Sequence, residues 1–464
     1  MLHFAYYKPK EHFMLLLICF VISFSVFSSC MRRGGSSAPT PTSSTEQQVQ
    51  ATSEETPTAP KVVQVNQDAA QPKINIFIEN SGSMNGFINS ASGFQDAIQK
   101  MMVLLKYYYN AENIKLNYIN TAVHPQQVPA KVQIEDFAVS MLSPNRFRRV
   151  GNVHSTDLND IVKMILKGVD ENSVAILVSD CIYSIVGNGT TETLLTGCKN
   201  KTMGAFLEKT KEYPDLATII VRLWSHFSGH YWDCKHPSGQ QYHTLDCDRP
   251  YYICVIGTDA NIKVFNEHIN VDQMRGYENK YVLSSNDYSE CNYSALTRTH
   301  NMAMFRVKGS GPFKTLERAK SHGNQFQFAI AADLSALPMS NAEKLDRRNY
   351  DVISGQYSIT GVSVVDPIHM HPIDKQLVEE FNLTHEIIVS TNQYPSDITV
   401  GVKRDIPQWV KNANSIDDTQ IDNIDSEKVK TFGLEYFVQG ISEAFKEVAS
   451  DKDYITKFTI QVKH

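Results

Sequence analysis

Three short stretches of this sequence carry oxygen-bearing side chains in a pattern that can do chemistry. They are Glu79-Asn80-Ser81-Gly82-Ser83, Ser155-Thr156-Asp157 and Ser179-Asp180. Hydroxyls and carboxylates without nitrogen or sulfur are the donors that hard divalent cations such as Mg²⁺ prefer, commonly with waters and an open position retained. The same residue types also form turns and cap helices by satisfying free N–H groups, so each stretch has a structural use as well. Bond-breaking chemistry is not indicated. Ser83 lies in G-S-M-N-G, which is not the G-x-S-x-G elbow of hydrolases, and no Walker-type phosphate loop or G-x-G-x-x-G after a strand is present.

Other constellations carry less. Asp233 to Asp248 (DCKHPSGQQYHTLDCD) holds Cys234, His236, His243 and Cys247, which are zinc-ligand types, but the C-x-H and H-x₃-C spacing matches no common zinc module. A Cys234–Cys247 disulfide closing a surface loop is the favoured alternative. His369-Met370-His371, between Pro367 and Pro372, reads as an exposed turn. Ser225 to Tyr231 (SHFSGHY) reads as an aromatic loop near the ligand edge, and Arg146, Arg148 and Arg149 as a small solvated basic cluster.

The elements that must position the oxygen set are legible from periodicity. Lys73 to Glu79 (KINIFIE) is β-branched and aromatic, a central strand. Phe94, Ala97, Ile98, Met101, Leu104, Leu105 and Tyr108 then recur at helical spacing. Ile114 to Val123 is a second strand, and Leu158, Ile161, Val162, Ile165 and Leu166 mark another helix. Ser173 to Ser179 (SVAILVS) is almost wholly apolar, as a strand covered on both faces should be. A helix ending at Thr210, strands Ala217 to Trp224 and Tyr251 to Gly257, and a helix-like NIKVFNEHI continue the alternation. The expected fold class is α/β, a doubly wound, mostly parallel sheet over residues 73–274. In such sheets ligands bind beyond the carboxyl ends of the strands, where all three oxygen stretches fall.

Beyond residue 275 the alternation fades into short strands bounded by turn residues: Gln325 to Ala332, Gln356 to Val365, His385 to Thr391 and Ile398 to Val402. Leu434, Phe437, Val438, Ile441, Ala444, Phe445 and Val448 share one helical stripe, and Tyr454 to Val462 closes the chain. Residues 275–464 therefore read as a β-rich second domain with one long helix.

On these residues the first domain resembles von Willebrand factor type A domains. The strand plus E-N-S-G-S-M is similar to the D-x-S-x-S signature that opens that family's metal-ion-dependent adhesion site. Ser81 and Ser83 match its two serines, Thr156 the threonine that starts a later helix, and Asp180 the second aspartate at a strand end. Glu79 stands where the family has Asp, one methylene longer. The resemblance implies Mg²⁺ or Mn²⁺ held by Ser81, Ser83, Thr156, Asp180 and a modified Glu79, with a partner protein's carboxylate filling the open position. That is binding, not catalysis. The alternative is a metal-independent structural or scaffold protein that keeps the fold. A metal-dependent hydrolase is the weakest reading, because a second carboxylate group and a general-base His are missing from the motif set.

The chain begins with an address. An apolar run from Met14 to Phe27 follows Lys8 and Lys10 and ends in Phe27-Ser28-Ser29-Cys30. It is shorter than the roughly 20 residues that span a bilayer as a helix. Small residues before a Cys resemble the lipobox of bacterial lipoproteins, which implies a lipoprotein signal over residues 1–30, cut before Cys30, with Cys30 lipidated as the new N-terminus. Met31-Arg32-Arg33 places no acidic residue after it, which fits outer-membrane sorting in Gram-negative bacteria. Residues 31–72, rich in Ser, Thr, Pro, Gln and Ala, read as a disordered tether. Export makes disulfides plausible for the six remaining cysteines, with Cys181–Cys198 and Cys234–Cys247 as the local pairs.

Composition agrees. With 42% apolar residues over 464 positions the chain can build a core, and a net charge of −6 excludes a strongly basic nucleic-acid binder. The expected protein is a lipid-anchored envelope binding protein, its partners a membrane and an unidentified protein, with no nucleic acid.

Overall fold

A computed structural model describes residues 71–464, apart from 90–92, 155, 238–239, 287 and 289. The signal-like run, Cys30 and the tether up to residue 70 lie outside the described residues.

Strands β1 (Lys73–Glu79), β2 (Ile114–Ile119), β3 (Val123–Gln126), β4 (Ser173–Ser179), β5 (Leu216–Tyr231), β6 (His243–Thr258) and β7 (Tyr277–Ser284) form one sheet in the order β3-β2-β1-β4-β6-β5-β7. The centre is parallel: β1 pairs with β2 on one side and β4 on the other. The alternation of side chains along β1 and β4 serves two cores. Ile74, Ile76, Ile78, Val174, Ile176 and Val178 pack on one face with Phe94, Ile98, Met101 and Leu105 of the helix α2 (Gly93–Tyr108), which follows the short α1 (Asn85–Ile88). Phe77, Ala175 and Leu177 pack on the other face with the helices α5 (Leu158–Lys167) and α6 (Thr191–Glu212). The short α3 (Ile134–Met141) and α4 (Pro144–Phe147) complete the first face.

The sheet is mixed, less parallel than expected. Antiparallel β3 borders β2, β6 runs antiparallel between β4 and β5, and β7 is antiparallel to β5. On the β4 side the cause is a long hairpin of two 16-residue strands, β5 and β6. The SHFSGHY segment, read from sequence as a loop, continues β5, with Tyr231 opposite His243. Its period-two burial, with Phe227 and Tyr231 inside, is a strand signature. The helix α7 (Asp259–His268) then leads to β7.

The second half of the chain does build a β-rich unit. Strands β8 (Tyr293–Ala295), β9 (Ala303–Arg306), β10 (Thr315–Ser321), β11 (Phe326–Ala332), β12 (Tyr350–Ser354), β13 (Ser358–Val364), β14 (His385–Thr391) and β15 (Ile398–Lys403) join the last strand in two sheets, with α8 (Asn341–Leu345) and α9 (Pro372–Glu380) between strands. After α10 (Gln408–Asn412), β16 (Asn414–Ser415), α11 (Asp425–Lys428), β17 (Thr431–Phe432) and α12 (Leu434–Val448), β18 (Tyr454–Val462) completes the orders β12-β15-β18-β10-β9 and β13-β14-β11-β8. Phe328, Ile330, Ile387, Val389, Val400, Phe458 and Ile460 fill the space between them.

The boundary read at residue 275 does not separate the packing. β7, just beyond it, is the edge of the first sheet. The stripe of α12 packs on α6, with the Phe206 and Phe445 rings 5.7 Å apart, edge to face. Among the described residues no helix is long and apolar enough to cross a membrane.

Candidate functional site

β1 and β4 are neighbouring parallel strands in register, Ile78 beside Val178, so their carboxyl ends deliver Glu79 and Ser179-Asp180 side by side. Asn80 anchors the turn that follows. Fully buried, its Nδ2 donates to Phe147 O (2.9 Å) and Val150 O (2.8 Å), and its Oδ1 accepts from Asn120 Nδ2 (3.0 Å). The Gly82 amide donates to Val153 O (2.8 Å), which brings the segment before α5 alongside. Asp157 caps α5 by accepting from the Asn159 amide (2.8 Å), and that placement holds Thr156 over Glu79.

The expected residues therefore converge. Glu79, Ser81, Ser83, Thr156 and Asp180 all line one cavity of about 400 Å³. Glu79 Oε1 accepts from Thr156 Oγ1 (3.0 Å) and Oε2 from Ser179 Oγ (2.5 Å), whose oxygen in turn accepts from the Cys181 amide (2.8 Å). Ser81 heads a one-turn helix but makes no side-chain cap; its Oγ lies 3.1 Å from that of Ser83. Asp180 is not a helix N-cap either. Its Oδ1 accepts from the Ile182 amide (3.3 Å), while α6 is capped by Thr190.

Two carboxylates thus share one buried space. Burial and the adjacent Asp180 push Glu79 up to about 7, although hydrogen bonds from Ser179, Ser81 and Thr156 favour its ionised form. Burial likewise raises Asp180, against hydrogen bonds from Ser83 and the Ile182 amide and the positive charge of Arg249.

The far wall was only partly legible. Trp232, Asp233, Cys234 and Asp418 line the same cavity. Asp418 accepts from the Tyr231 hydroxyl (2.5 Å) and the Cys234 amide (2.8 Å). No local motif marks Asp418; it arrives from a distant segment folded against the hairpin.

The zinc-type set takes another form. His236 Nδ1 lies 3.1 Å from Asp233 Oδ1, and His243 Nε2 lies 2.9 Å from Asp233 Oδ2, with Asp422 3.1 Å from His243 Nδ1. The imidazoles thus gather on carboxylates rather than on Cys234 and Cys247. Among the described residues no group of three or more His, Cys, Asp or Glu side chains is arranged to hold a metal ion. Neither expected pair is bonded in this structure, where Cys181, Cys198, Cys234 and Cys247, like Cys254 and Cys291, stand as thiols. His369 pairs with Asp366 in an exposed turn. Within the basic cluster, Arg146 donates to Ser140 Oγ (2.7 Å) and Arg148 to Asn85 and Asn89.

No protein-family model matches this chain, and no curated protein or solved structure is significantly similar to it.

Proposed function

We propose that this chain is a lipid-anchored envelope protein whose first sheet engages a partner protein through a divalent cation at the carboxyl ends of β1 and β4. The observation that carries this reading is the convergence of Glu79, Ser81, Ser83, Thr156 and Asp180, from three separate segments, into one cavity. Their order and strand-end positions are those that the resemblance to von Willebrand type A domains implies. The parallel β2-β1-β4 centre agrees with a doubly wound sheet, and the antiparallel β6-β5-β7 half departs from it.

Mg²⁺ or Mn²⁺ fits the donor set: every donor is oxygen, and a cation would offset the burial and the Asp180 repulsion that raise Glu79. When bound, the ion would offer an open coordination position to a carboxylate of the partner. The chain's own residues prepare the site. Ser179 and Thr156 orient Glu79, Asn80 fixes the turn carrying Ser81 and Ser83, and Asp157 holds the start of α5. The proposed role is binding, not catalysis. The signal-like run ending at Cys30 supports the anchor, and the residues after it support the outer membrane.

A second reading, a metal-independent scaffold, draws on one observation. Both Glu79 oxygens already accept hydrogen bonds from within the chain, so the carboxylate has polar partners without a cation. Calorimetric titration of Mg²⁺ and Mn²⁺ into the purified protein separates the two. Saturable binding, weakened about tenfold or more in Asp180→Ala, is expected, since even the groups supporting metal ligands are worth that much. A folded wild type that takes up neither ion would leave the scaffold.

A further inference from the structure

Cys181 directly follows Asp180, and its sulfur has a neighbour that neither local cysteine pair anticipates. Cys181 Sγ lies 3.9 Å from Cys254 Sγ, in the adjoining strand β6. Both residues are buried, 0% and 1% exposed, in the same apolar cluster beneath α5, α6 and α12. Cys254 sits mid-strand, opposite Leu177 on one side and Ile220 on the other. Cys181 reaches it because the chain turns sharply after β4. Its φ is +52°, a left-handed conformation that non-glycine residues seldom adopt and that tertiary packing must enforce. The two sulfurs stand about 1.9 Å beyond the S–S bonding distance of about 2.05 Å, both in one apolar cluster.

Resting on the export proposed above, we propose that Cys181 and Cys254 become joined by an intrachain disulfide once the chain reaches an oxidising compartment. The two thiols give up two protons and two electrons to a disulfide-bearing oxidant, a thiol-oxidising enzyme or glutathione disulfide. The oxidant's sulfurs leave as thiols as the Cys181–Cys254 bond forms. Burial of both sulfurs places this exchange before the β4–β6 ladder closes, while an oxidant can still reach them. The link spans 73 positions of chain, enclosing α6 and β5. It also ties down the turn whose Cys181 and Ile182 amides donate to Ser179 and Asp180.

The test is refolding of the full chain from reductant and denaturant in the presence of glutathione disulfide. Residual thiols are then capped with a maleimide under denaturing conditions, and the protein is digested without reduction. The expected result is a linked peptide pair containing Cys181 and Cys254. Adding reductant to the refolded protein should lower its unfolding temperature by about 5 °C, as opening a long covalent loop predicts. Cys254→Ser should remove that shift and leave Cys181 open to capping. If this variant does not fold, the wild-type peptide map decides alone. Capping of both cysteines in the wild type, or a Cys181–Cys198 link, would overturn the proposal.

Discussion

Glu79 is the residue on which the site turns. Its carboxylate shares a buried cavity with that of Asp180, and burial together with the Asp180 charge raises its cost of ionisation. A carboxyl held near 7 in the fold and near 4.5 when unfolded binds its proton more tightly in the native state. Its contribution is therefore favourable below the unfolded value and is lost as pH rises toward 7. Without metal, Glu79→Gln should gain stability over the wild type by roughly 1–3 kcal/mol at pH 8, and by much less at pH 5. Urea unfolding at the two pH values measures this, and equal effects at both would refute the assignment. If the ion displaces the Glu79 proton, Mn²⁺ affinity should climb between pH 6 and 8 and level off above.

At the scale of elements, close approach explains what periodicity alone left open. The stripe of α12 was plain in the sequence, but not what it would cover. The answer is α6, and Gly440 shows how tightly. A Cβ at that position would lie 2.7 Å from Lys199 O and 2.9 Å from Thr202 Cβ. In an exposed helix, Gly→Ala adds about 1 kcal/mol of stability. Here the sign should reverse, with Gly440→Ala costing about 1–3 kcal/mol as the two helices are forced apart. Thermal unfolding reads the sign directly, and a stabilised variant would mean that the helices separate easily. The β5–β6 hairpin teaches a related lesson. Polar and aromatic residues in SHFSGHY suggested a loop, yet their alternation suits a strand with one face on the core.

For the whole molecule, buried arginines tie the halves together. Arg222 pairs with Glu278 of β7 at 2.6 Å and donates to Val429 O (2.5 Å), while Arg249, 2% exposed, donates to Lys428 O (3.1 Å). Tyr252 and Thr431 hydroxyls meet at 2.9 Å. A fragment spanning residues 71–274 would keep both arginines but lose these partners, along with the cover that α12 gives α6. Stranding a buried charge costs about 3–5 kcal/mol. Such a fragment should show no cooperative unfolding transition and a weak near-UV circular dichroism spectrum. A sharp two-state transition would show that the first sheet stands alone.

The sequence by itself determined the strands and helices with strong period, and the three stretches that meet at the site. KINIFIE, SVAILVS and the helix of Leu158 to Leu166 carry their burial in local spacing, because a side chain's face follows from its position along a helix or strand. Parallel β1 and β4 then must present Glu79 and Asp180 at the same edge. Only the tertiary structure decided the direction of β6, the partner of α12, the arrival of Asp418 in the cavity and the meeting of Cys181 with Cys254. Those depend on contacts between residues far apart in the chain, and no local propensity records which distant segment will supply the other side.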